Sequence, residues 1–110
     1  MAKQAIPKRF LDFTAKYPEV ADAYERLGKK IHAAGPLSEK ERALVKLAIS
    51  IGARLEGGAH SHARKALAGG VSKDEMYHVA LLAMQTIGFP SSMAAMSWID
   101  DVIKGKKKRK

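Results

Sequence analysis

The chain contains no cysteine in its 110 residues. Disulfides and thiol chemistry are therefore excluded by composition alone. It also lacks any apolar run near the roughly 18 residues that a membrane helix requires. Its opening segment, MAKQAIPKRFLDF, holds no continuous apolar stretch of signal-peptide length. A cytoplasmic protein without a membrane partner is the expectation. No segment sustains the period-2 alternation of a half-buried strand, which points to an all-α fold. Internal repeats are absent, and no H-E-x-x-H or acidic ligand cluster announces a metal.

What is present fits one small domain with a single core, expected over residues 1–103. The net charge is +9, and Lys104, Lys106, Lys107, Lys108, Arg109 and Lys110 supply six of those charges, leaving +3 on the rest. Residues 104–110 thus form a basic tail that Gly105 separates from the last helix. Such a tail either contacts phosphates, with salt-dependent affinity, or serves as a solubilising end. It has no interleaved aromatic for base stacking, so the second role is the expectation and nucleic acid is not an expected partner.

Ile6, Phe10, Phe13 and Tyr17 recur at helical spacing, with Pro7 suited to a first turn where its missing N–H is harmless. Pro18 restarts the chain, and Val20, Tyr24, Leu27 and Ile31 form a second stripe that stops near Gly35 and Pro36. Ser38-Glu39-Lys40-Glu41 reads as a capping box, followed by an apolar face of Leu44, Leu47, Ala48 and Ile51. Gly57 and Gly58 each weaken helical propensity by about 1 kcal/mol relative to alanine, so the pair marks a bend or a new helix start. A helix over 60–68 is expected there, ended by Gly69 and Gly70.

Ser72-Lys73-Asp74-Glu75 is a second capping box and opens a helix through Met76, Val79, Ala80, Ala83, Met84 and Ile87. The run from Val79 to Ala83 is apolar on nearly every face, more than so short a chain can cover by itself, and suggests burial against another subunit. Pro90 begins the last helix, carrying Met93, Met96, Ile99 and Ile103. At helical spacing these methionines, with Met76, Met84 and Trp98, read as core or subunit contacts. About six helices result.

The order of landmarks from Leu37 to Trp98 resembles the carboxymuconolactone decarboxylase and alkylhydroperoxidase D-like family. Redox members read roughly R-C-E-x-C-x3-H-x3-A-x3-G, followed by a Glu-rich helix start and a G-F-P turn. Here Arg54, Glu56, His62, Ala66 and Gly70 occupy those places, then Ser72, Glu75 and Gly88-Phe89-Pro90. Leu55 and Gly58 stand where the two cysteines would be, so dithiol peroxide reduction is excluded. The hydroperoxidase branch's upstream glutamate would fall at Ala43, with Glu41 the nearest carboxylate, and its additional histidine at Gly57. The resemblance implies an all-α alkylhydroperoxidase D-like fold assembled as trimers or as hexamers of dimers.

By the same resemblance, His62 is the proton-handling residue, suited to non-redox decarboxylation or isomerisation of a small carboxylate or lactone. Glu56 is the second catalytic candidate, since a carboxylate near a histidine orients the ring, although on a continuous helix it pairs at i,i+4 with His60. Arg54 and Arg64 bracket the histidines and, with His60 and Phe89, are the expected binders of a small anionic substrate. No cofactor is implied. A metal shared by His60 and His62 is not expected, because two residues of helix turn them to nearly opposite sides, unless the segment stays extended or His78 joins one of them. The alternative is a catalytically inactive scaffold or binding protein of the same fold, with His62 a hydrogen-bonded structural residue.

Overall fold

The computed structural model describes residues 6–105, and among these every regular element is an α-helix. Contacts divide the chain into two compact units, Met1–Pro36 and Leu37–Lys110. The boundary falls at the Gly35-Pro36 break that ends the second apolar stripe.

The first unit holds α1 (Lys8–Lys16) and α2 (Pro18–Ala33). Pro7 lies one residue earlier than the first turn, as the N-cap of α1, whereas Pro18 occupies the first turn of α2. Neither helix start carries a side-chain cap. Phe13 and Tyr17 pack ring to ring at 5.9 Å across the junction. No residue of either helix is buried, and Tyr24, Leu27 and Ile31 of the second stripe lie open.

The second unit holds α3 (Glu39–Gly52), α4 (Glu56–Ala68), α5 (Lys73–Ile87) and α6 (Phe89–Ile103). Here α3 packs on α4 and α5, and α6 packs on the same two, so the four helices close a ring around one core. Leu47 and Ile51 enter from α3, Met76 from α5, and Ile99 and Val102 from α6. Alanine makes up the rest of the apolar helical lining, beside buried Ser50, Ser91 and Ser92, with Ala59, Ala63 and Ala66 forming the whole buried edge of α4. Side chains this small let backbones approach closely, so packing depends on few large groups. Each fully buried large side chain contributes about 1.5–3 kcal/mol.

Both predicted capping boxes form. The Ser38 hydroxyl accepts from the Glu41 N–H at 3.1 Å while Glu41 accepts from the Ser38 N–H at 2.8 Å, and Ser72 and Glu75 repeat the exchange at 3.0 and 2.9 Å. Lys40 joins the two starts through a 2.6 Å ion pair to Glu75.

Two expectations shift, the start of α4 and the face of α3. Helix α4 begins at Glu56 rather than His60, so Gly57 and Gly58 lie in its first turn, where backbone N–H groups have no intrahelical acceptor in any case. Gly58 also makes room: a Cβ there would stand 3.1 Å from Ser50 Oγ and 3.3 Å from Leu55 Cβ. Of the α3 face, Leu47 and Ile51 are buried but Leu44 is only half-buried and Ala48 is exposed, because these two border a groove between α3 and α5. On α5, Leu81 and Leu82 are 49% and 60% exposed, so the chain alone does not cover that helix on every side.

The ends of α3 and α4 share one hydrogen-bond pattern. Arg54 N–H reaches Ile51 O at 3.0 Å and Leu55 N–H reaches Ser50 O at 2.9 Å; Gly70 and Val71 make the same pair of bonds to Leu67 and Ala66. This double closure requires a left-handed residue, supplied by Gly70 at φ 93° and by Arg54 at φ 60°. A non-glycine residue bears a cost of about 1 kcal/mol there. Residues 106–110 of the basic tail lie outside the described residues. Lys104 closes α6 and pairs with Asp100 at 3.8 Å. Among the described residues no helix is long and apolar enough to cross a membrane.

Candidate functional site

Helix α4 carries both histidines of the sequence motif, and its regular geometry turns them apart. His60 faces α6, where its Nε2 lies 3.0 Å from Asp101 Oδ2, while Glu56 one turn earlier places Oε2 3.9 Å from the same nitrogen. The carboxylate of Glu56 thus joins His60, as i,i+4 spacing dictates. These three donor atoms lie within 4.8 Å of one another, and the group includes neither His62 nor His78. The neighbouring Asp100 is engaged elsewhere: it accepts from the Tyr77 hydroxyl, which that bond holds protonated above the ordinary tyrosine range, and pairs with Lys104.

His62 has a different setting. It is half-buried, and burial together with the charges of Lys65 on α4 and Lys46 on α3 pushes its pKa below the ordinary histidine value. The neutral imidazole is therefore the favoured form near pH 7. Burial also lowers Lys46, assisted by Lys65 and by Arg42. Two cations from two helices, Lys65 and Lys46, acting on a neutral imidazole make a field that favours a small anion.

Of the other sequence candidates, Arg54 is exposed in the strained turn between α3 and α4, and Arg64 is half-buried on α4. Phe89 is exposed as the first residue of α6, directly after Gly88, whose φ of 107° ends α5. The cations acting on His62 are Lys65 and Lys46. Lys46 and Asp101 escaped sequence reasoning for one reason: each comes from another helix, 16 and 41 residues from its histidine, and no local spacing marks it.

A third feature lies apart from both histidines. The groove between α3 and α5 encloses about 300 Å³ and is lined by Leu44, Val45, Ala48, Val79, Leu82 and Ile87, with Thr86 its polar side chain. None of the sequence-selected site residues lines it.

Residues 18–101, from the start of α2 to near the end of α6, match the model of the Carboxymuconolactone decarboxylase family. No curated protein and no solved structure matches the chain.

Proposed function

The chain belongs to the carboxymuconolactone decarboxylase family, and from that premise we propose that His62 is the proton carrier for a non-redox reaction on a small carboxylate or lactone. The supporting observation is the placement of His62, half-buried on α4 with the charges of Lys65 and Lys46 acting on it. In this reading the cations hold the substrate carboxylate and stabilise the enolate that develops as a proton leaves the adjacent carbon. In an isomerisation the imidazole takes that proton and returns it to a new carbon; in a decarboxylation the departing carbon dioxide leaves its electron pair as the enolate, and the imidazole relays a proton from water to that carbon. Arg54 and Arg64 remain the outer steering charges, and Phe89 the apolar wall. The same reading makes the protein a homo-oligomer, with exposed Leu81 and Leu82 of α5 covered by a neighbouring copy.

The test is turnover of a panel of lactones and β-keto acids. His62→Ala is expected to lower kcat by about 10²–10⁴-fold, and Lys65→Ala to raise KM with a smaller change in kcat. Arg54→Gly removes a steering charge while relieving the left-handed strain, so weaker binding in that variant is not a folding loss. Unchanged turnover in His62→Ala overturns the assignment. A second reading, an oligomeric binding protein without catalysis, draws on the apolar α3–α5 groove, which stands apart from the histidines. It predicts no turnover of any panel member and saturable uptake of an apolar probe that Ala48→Trp blocks.

A further inference from the structure

The opposite side of α4 carries a second cluster that the proton-transfer reading does not use. We infer that Glu56, His60 and Asp101 form a binding site for a divalent transition-metal ion bridging α4 and α6.

The argument begins with spacing. Glu56 and His60 are four residues apart, so one helix face presents both, the separation at which two side chains of a helix can share an ion. Asp101 completes the set from the neighbouring helix, which fixes the third donor independently of any motion within α4. His60 Nε2 stands 3.0 Å from Asp101 Oδ2 and 3.9 Å from Glu56 Oε2, and all three donors fall within 4.8 Å. A tetrahedral ion with bonds of about 2.0–2.2 Å keeps its ligand atoms roughly 3.4 Å apart. Small side-chain adjustments bring these donors to that spacing.

Charge points the same way. Two carboxylates converge on one imidazole, so even with His60 protonated the cluster carries a net negative charge, in a chain whose overall charge is +9. A divalent cation neutralises both carboxylates and replaces the proton between His60 and Asp101. Exposure completes the case: the side chains of His60 and Asp101 are only 14% and 20% accessible, whereas that of Glu56 is 54% accessible. The first two are held in place by packing, and the third leaves an open side on which water can complete the coordination. One imidazole nitrogen with two carboxylate oxygens suits Zn²⁺, Co²⁺ or Mn²⁺ better than Mg²⁺ or Ca²⁺, which favour oxygen alone. Asp100 is occupied by Tyr77 and Lys104, so Asp101 is the carboxylate of α6 offered to the ion.

The experiment is titration of the full chain with Zn²⁺ alone by calorimetry, paired with the visible absorption of the Co²⁺ form. One ion per chain is expected, with a Co²⁺ band of nitrogen and oxygen ligation and a raised Tm, since the ion ties α4 to α6. Glu56→Gln, at an exposed position that leaves the fold intact, weakens binding by about ten-fold or more, and Asp101→Asn or His60→Ala abolishes it. His62→Ala and His78→Ala bind as the parent does. Binding that survives both Glu56→Gln and Asp101→Asn, loss of binding in His62→Ala, equal competition by Mg²⁺, or no Zn²⁺ uptake by the parent chain would each overturn the site. Circular dichroism of every variant separates a lost ligand from a lost fold.

Discussion

The helices of the first unit are the more amphipathic, yet the two units end in opposite states. In residues 37–110 the apolar faces of four helices close on one another around Leu47, Met76 and Ile99. In residues 1–36 two helices carry stripes at least as regular, yet none of their residues is buried and Ile31 stays 60% exposed. The helix starts differ in part: α3 and α5 each have a reciprocal box, while α4 and α6, like α1 and α2, have no side-chain cap. Amphipathic patterning specifies which face wants cover, and only topology decides whether the same chain supplies it. The second unit has four helices to share among themselves, and the first has two.

The largest test of this contrast is truncation of apolar side chains. Leu47→Ala or Ile99→Ala is expected to cost about 2–5 kcal/mol in urea unfolding. Leu27→Ala or Ile31→Ala should stay within about 0.5 kcal/mol. If Ile31→Ala costs as much as Leu47→Ala, the first stripe is covered in solution, and a concentration-dependent midpoint would show that a second copy covers it. A step smaller are the caps. Ser38→Ala and Ser72→Ala should each cost about 1 kcal/mol, and amide exchange should show fraying at the starts of α3 and α5 reaching the level of the uncapped α1 and α2.

The smallest effect is acid dependence. Hydrogen bonds from the Ser38 backbone and hydroxyl hold Glu41 below 4.5, and bonds from Lys40 and Ser72 do the same for Glu75. A carboxylate depressed in the folded state contributes stability that is present above the unfolded value and lost as pH falls through the folded one. The advantage of the parent over Glu41→Gln and Glu75→Gln should therefore be complete above about pH 5 and vanish progressively below 4.5. A difference that stays flat from pH 6 to pH 3 would show that the boxes act through geometry rather than charge.

The sequence disclosed these helix starts because a capping box is written within four residues. It also disclosed the opposite facing of His60 and His62, a consequence of 100° per residue. The alanine edge of α4 was not legible: Ala59, Ala63 and Ala66 carry too little apolar weight to stand out as a stripe, although burial of each is nearly complete. The start of α4 was misplaced because glycine propensity describes helix interiors, and Gly57 and Gly58 occupy a first turn. Asp101 and Lys46 were missed because the partner of a buried histidine is chosen by tertiary packing. Both histidine environments are thus half local and half remote, and only the local half is spelled out along the chain.

The space between Gly58 and Ser50 bears on whether a thiol pair would fit in this chain. By the motif resemblance Leu55 and Gly58 stand where redox members of the family carry cysteines, and the backbone brings the two together at the head of α4. Any β-carbon restored at 58 meets the Ser50 hydroxyl at 3.1 Å, so Ser50 has to yield by a few tenths of an ångström before a second thiol fits. Dithiol chemistry here would therefore take cysteine at both 55 and 58 together with a shift of the Ser50 side chain on α3.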